Sequence, residues 1–215
     1  MSKLYLFDIN YIAAIYGGAK KDALPPYLDP KLSIEELMSG VSFASGGSGF
    51  DPLTPSISEL LNEGGRKIAV TGLPPIGCLP VVITLYSDER FGKRGCIDKY
   101  SSIARDYNQM LQNELNLMQL QLNSSNPSSK VYYIDIYQPL SDMVQDPQKY
   151  GFDVVDSGCC GSGYIETSFL CNHISSVCSD PSKYLFWDSV HPTQKGYQNL
   201  FSAFRPTFDL INNDD

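Results

Sequence analysis

Asp188 and His191 stand three residues apart in the stretch Phe186-Trp187-Asp188-Ser189-Val190-His191-Pro192-Thr193, near the end of a 215-residue chain. The stretch holds the only Trp and one of the two His residues. At that spacing a carboxylate and an imidazole meet on one side of a helical turn. The carboxylate accepts the Nδ1–H, and Nε2 becomes the nitrogen that takes a proton from a hydroxyl nucleophile. Pro192 suits the start of a following helix. By itself a D-x-x-H pattern more often marks a capped turn with a hydrogen-bonded surface His. The other His, His173, has no carboxylate three or four residues away and reads as structural or exposed rather than as a general base.

A second chemical feature is the loop Ser45-Gly46-Gly47-Ser48-Gly49, which follows the short apolar run Val41-Ser42-Phe43. Its glycines let backbone N–H groups come close to a ligand, as a tetrahedral oxyanion requires. Alone, such a loop is more often a tight turn. Gly72-Leu73-Pro74-Pro75-Ile76-Gly77-Cys78-Leu79-Pro80 is rigid and apolar, and reads as a pocket wall or a structural corner. Ser45, Ser48 and Ser162 are flanked by glycine, but no Ser occupies a Gly-x-Ser-x-Gly elbow.

The elements that must position these residues alternate along the chain. Ile9–Tyr16 reads as a short amphipathic helix closed by Gly17-Gly18, and Ser56–Asn62 as another helix. Lys67–Thr71 reads as a strand with an apolar centre, as in a parallel sheet covered on both faces. Asp98–Leu122 is the longest helix, with Ile103, Tyr107, Met110, Leu111, Leu115, Met118 and Leu122 forming the expected core stripe. Val131–Ile136 is a strand, Gln138–Val144 a helix, Asp156–Pro181 an irregular stretch, and Gln194–Phe204 a closing helix. This order indicates one α/β domain over 1–215: three layers, α/β/α, around a doubly wound, mostly parallel sheet. Functional loops then leave the C-terminal ends of the strands.

Cys78, Cys96, Cys159, Cys160, Cys171 and Cys178 form an even set, four of them clustered. They suit a disulfide framework made in an oxidising compartment, with the four clustered cysteines pairing among themselves and Cys78 pairing with Cys96. A zinc site built from the cluster and His173 is the weaker alternative, because no C-x-x-C pair is present. No metal or other cofactor is expected. The net charge of −8 argues against nucleic acid and anionic membrane as partners. No apolar run is long enough for a membrane-spanning helix. Asn123-Ser124-Ser125 is a glycosylation sequon. Met1–Phe7 begins like a signal peptide, but Asp8 and Asn10 interrupt the apolar run.

Four stretches together carry a resemblance. Pro25-Pro26-Tyr27-Leu28-Asp29-Pro30 leading into Gly40–Gly49, then Gly72–Pro80, then Gly158-Cys159-Cys160-Gly161, then Phe186–Thr193 resemble, in order, blocks of the plant GDSL-type esterase/lipases of the SGNH hydrolase superfamily. The resemblance runs from about Ile9 to about Phe201. It implies the SGNH, flavodoxin-like fold and an acyl-ester or lipid substrate, with location in the secretory pathway or outside the cell. It implies Asp188 and His191 as catalytic residues, and Gly46, ahead of Gly47, as an oxyanion-hole donor.

The chain departs from that family at two blocks. The family's nucleophile is the Ser of a Gly-Asp-Ser block, and no Gly here is followed by Asp. The second oxyanion donor is an Asn in a Gly-x-Asn-Asp block, and the one Asn-Asp pair here is Asn213-Asp214. The first strand of the sheet would go with the Gly-Asp-Ser block. The expectation is therefore an ester hydrolase impaired by the absence of its serine. The alternative is a non-catalytic remnant, a binding or interaction protein that keeps an acyl groove; a truncated gene model is a third.

Overall fold

The computed structural model describes residues 65–87 and 94–213, together with Pro30, Lys31, Ser33 and Leu61. The expected helix at 9–16, that at 56–62 except for Leu61, the run 41–43 and the loop carrying Ser45, Gly46, Gly47 and Ser48 lie outside the described residues. Among those described, the order is β1 (Lys67–Thr71), α1 (Pro80–Tyr86), α2 (Asp98–Ser125), β2 (Lys130–Ile134), α3 (Tyr137–Gln145), β3 (Val154–Gly158), β4 (Tyr184–Phe186) and α4 (Gln194–Asn213).

The fold is α/β with parallel strands. β1 pairs with β2 from Lys67 opposite Lys130 to Thr71 opposite Ile134, and β3 pairs with β4 from Val154 opposite Tyr184 to Gly158 opposite Phe186. The described strands form these two pairs rather than one continuous sheet. In β1, Ile68 and Val70 are half-buried while Lys67, Ala69 and Thr71 are exposed, so one face is packed where two were expected. A period-2 alternation of burial is what a strand with one packed face must show.

Parallel pairing demands a crossover, usually a helix. Between β1 and β2 that crossover contains α1 and α2. Between β3 and β4 the chain from 159 to 183 has only single 3-10 turns, at Ser168–Leu170 and Pro181–Lys183. Disulfides Cys159–Cys178 and Cys160–Cys171 hold it instead. Cys78–Cys96 closes the segment that contains α1. All six cysteines are paired as expected, which leaves no thiolate for zinc.

The core joins Ile134 at the end of β2, Leu140 and Met143 of α3, Phe152, Leu185 and Phe186 of β4, and Leu200 and Phe204 of α4. Each fully buried Leu or Phe contributes about 1.5–3 kcal/mol by leaving water, so β4 is fixed in the core by Leu185 and Phe186, both 0% exposed. Helix α2 corrects the expected stripe. Its buried positions are Ser101, Ala104, Asn108, Leu115 and Leu122, whereas Ile103 and Met110 are exposed. Asn108 is inside because its side chain is a backbone partner. Its Oδ1 accepts the Leu73 N–H at 2.6 Å, and its Nδ2 donates to the Leu73 carbonyl at 2.8 Å.

That clamp settles the Gly72–Pro80 loop as a structural corner. Pro75, Gly77, Cys78 and Pro80 are buried, and the Ile97 N–H donates to the Gly77 carbonyl at 2.9 Å. Helix α4 starts at Gln194, two residues after Pro192. Thr193 caps it, its hydroxyl accepting the Gly196 N–H at 3.2 Å and donating to the Tyr184 carbonyl at 2.8 Å. The helix runs past the expected end at Phe204 to Asn213, with Pro206 inside it.

Candidate active site

β4 ends at Phe186, and the chain turns at once into Asp188 and His191 at the C-terminal edge of the strand. The turn is not helical. Asp188 Oδ1 accepts the N–H groups of Val190 at 2.8 Å and His191 at 2.7 Å, an Asx-type turn closed by the residue's own side chain. The Trp187 N–H donates to the His191 carbonyl at 2.7 Å, completing the loop. The three-residue spacing therefore brings the two side chains together by a different route from the helical turn expected.

Asp188 Oδ2 lies 2.7 Å from His191 Nδ1 and also accepts the Ser168 N–H at 2.9 Å. The carboxylate is thus surrounded by four donors: three backbone N–H groups and the imidazole. Its side chain is 2% exposed and that of His191 is 31% exposed. Burial pushes the Asp188 carboxyl up, but the bonds from the His191 ring, then from the N–H groups of His191, Ser168 and Val190, outweigh it and hold the group below the usual carboxylate range. A buried, ionised carboxylate that receives Nδ1–H fixes the imidazole tautomer and supports its protonation at Nε2.

The surrounding loops converge on this turn. The Cys159 N–H donates to Phe186 O at 3.1 Å and the Cys160 N–H to Trp187 O at 2.8 Å. The Ser189 N–H donates to Glu166 O at 2.8 Å, and Ser189 O accepts the Val81 N–H at 3.1 Å. Gly158 is required by contact: a Cβ there would lie 2.6 Å from the Asp188 carbonyl oxygen. The blocks Gly72–Pro80 and Gly158–Gly161 both act on the Asp188 turn, the first through Val81 just beyond it.

Three contributors had no signal in spacing or composition. Ser168 supplies an N–H from a backbone at φ 49°. Asn108 holds the corner from 35 residues away in sequence. Arg94 donates to the Asp156 carbonyl at 2.9 Å and to the Thr84 hydroxyl at 2.9 Å, and lies 4.4 Å over the Tyr164 ring. It joins α1 to β3. His173 is exposed, as expected of a residue outside the site. The Ser162 hydroxyl donates to Glu166 Oε2 at 2.7 Å. Among the described residues no group of three or more His, Cys, Asp or Glu could hold a metal ion.

A parallel α/β domain with a carboxylate-bound imidazole at the C-terminal end of a strand is an arrangement that hydrolase-type scaffolds share. The family described as GDSL-like Lipase/Acylhydrolase matches residues 49–204. The Arabidopsis thaliana protein GDSL esterase/lipase At5g45960 is 39% identical, over 94% of this chain and 74% of its own length. GDSL esterase/lipase At1g06990 from the same plant is 33% identical, over 87% of this chain and 72% of its own. GDSL esterase/lipase EXL3, also from that plant, is 34% identical, over 85% and 70%. The chain belongs to the GDSL-like lipase/acylhydrolase family. The alignment with the first relative runs over 280 residues against the 215 of this chain, so that relative carries internal segments with no counterpart here.

Proposed function

We propose that the chain is a single-domain ester hydrolase of the GDSL type over 1–215, in which the Asp188–His191 half of the catalytic apparatus is complete and the serine half is not. The observation that carries this reading is the Nδ1–Oδ2 bond of 2.7 Å on a carboxylate buried among three further donors. In the proposed mechanism His191 Nε2 takes the proton of an attacking hydroxyl, Asp188 stabilises the imidazolium, and Gly46 donates its N–H to the oxyanion. The 215 residues contain no Gly-Asp pair, and the longer alignment with a relative fits the loss of an internal Gly-x-Asn-Asp block. Without an activated nucleophile a triad enzyme keeps only the residual catalysis of binding and oxyanion stabilisation. The same two losses favour, as a second reading, a binding protein that keeps the acyl groove. The three disulfides fit an oxidising compartment; we assign the chain to the secretory pathway, with Asn123, exposed near the end of α2, as a glycan acceptor.

Hydrolysis of short p-nitrophenyl esters by the chain and by His191→Ala, measured in parallel, tests the reading. The two rates should be equal, and a serine-directed phosphonate should label neither protein. Burst kinetics abolished by His191→Ala, with labelling of Ser45, Ser48 or another serine, would show a replacement nucleophile and overturn the impairment.

A further inference from the structure

The loop from Gly161 to Leu170 makes more bonds to the Asp188 turn than its irregular sequence suggests. Its ends are joined by Cys160–Cys171. Inside it, the Glu166 carboxylate folds back on the Ser162 N–H at 2.9 Å and the Ser162 hydroxyl at 2.7 Å, and Gly163 donates its N–H to Cys160 O at 3.1 Å. This bracing leaves three groups directed at the turn. Glu166 O accepts the Ser189 N–H at 2.8 Å. The Thr167 hydroxyl lies 2.7 Å from that of Ser189, which is 0% exposed. The Ser168 N–H reaches Asp188 Oδ2, the same oxygen that meets His191 Nδ1.

Ser168 holds a positive φ of 49°, and no other described residue except glycine does so. Non-glycine residues reach that region at a cost, and persist there where the surroundings over-determine them. Here the surroundings are the disulfide at Cys171 and the carboxylate at the other end of the N–H. A strained residue whose single long-range backbone bond goes to the orienting carboxylate of an imidazole is a positioning device.

We propose that Ser168, held by the Cys160–Cys171 loop, is a positioning residue for the Asp188–His191 pair, fixing through its backbone N–H the oxygen that receives His191 Nδ1–H. The proposal rests on the site assignment above, but its readout needs no substrate, so turnover or its absence leaves it untouched. With two His residues in the chain, the His191 Nδ1 proton can be followed in a histidine-labelled sample by NMR. Ser168→Gly removes the hydroxyl, keeps the N–H and favours positive φ; Ser168→Val is β-branched and disfavours it. The low-field Nδ1 proton should persist in wild type and Ser168→Gly. Its exchange with water should be faster by about tenfold or more in Ser168→Val and in Cys160→Ser/Cys171→Ser, the factor expected for losing one bond to a charged group. Unchanged exchange in both folded variants, or equal loss in Ser168→Gly, would overturn the proposal. Should the variants not fold, the wild-type chain decides. The Ser168 amide and the Nδ1 proton should show matching protection, and an unprotected Ser168 amide beside a protected Nδ1 proton overturns it.

Discussion

Gly158 and Asp188 touch through their backbones, and the cost of a single methyl group measures how tightly the site is built. In Gly158→Ala the new Cβ would meet the Asp188 carbonyl, carbonyl carbon and Cα, all at 2.9 Å or less. None of these is the end of a flexible side chain, so the strand pair must shift, at about 1–3 kcal/mol. Urea unfolding should show that loss; an unchanged midpoint would mean that β3 and β4 are looser than they look. Acid supplies a second probe at this scale. Asp188 lies below its ordinary 3.8. Glu166 is lowered to about 2: burial pushes it up, but the N–H and hydroxyl of Ser162 and backbone bonds at Glu166 and Ile165 outweigh that. A carboxyl lowered by folding binds more protons in the unfolded chain, so its stabilisation is complete above about pH 4.5 and lost as pH falls toward 2. The Tm should fall over that window, and Glu166→Gln should flatten part of the fall. A Tm that rises from pH 4.5 to 2 would contradict the assignment.

Helix α2 shows what elements conceal. Asn108→Ala removes both bonds to Leu73 and leaves its half-buried N–H and carbonyl without that partner, a loss of about 1–3 kcal/mol. Met110→Lys, on a side chain 61% exposed, should stay within about 0.5 kcal/mol of wild type. The opposite order in chemical denaturation would restore Met110 to the core. Reading apolar residues by spacing finds the helix but assigns Ile103 and Met110 to its buried face, because the face is chosen partly by Asn108, whose value inside is hydrogen bonding, and by Ser101, a small residue packed against Gly77. β1, β2 and α3 are legible from their apolar runs to within two residues. β3 is not, since Val154-Val155-Asp156-Ser157-Gly158 has only two apolar residues and ends on a glycine chosen for contact. The Asp188–His191 pair is legible because both partners lie in one short stretch; Ser168 is not, because a backbone N–H carries no residue type.

Across the whole molecule, three of the four stretches that suggested the family meet at one turn. Gly72–Pro80 leads into Val81, Gly158–Gly161 pairs with Phe186 and Trp187, and the last stretch contains the turn itself. The matching segments are thus parts of one assembly, which explains why they occur together. The connection from β3 to β4 carries a further consequence. Cys159–Cys178 encloses Cys160–Cys171, and Cys159 and Cys160, one from each bridge, are adjacent. Exchanging their partners yields an isomer of identical mass, and no protease cut between Cys159 and Cys160 is at hand to tell the two apart. Adjacent residues of an extended chain face opposite ways, so the isomer would pull the wrong side of that chain toward the turn. A recombinant preparation can therefore be homogeneous, monodisperse and fully oxidised while part of it is misconnected. Oxidative refolding with an isomerase, rather than air oxidation alone, is the route to material on which any assay of this protein can be judged.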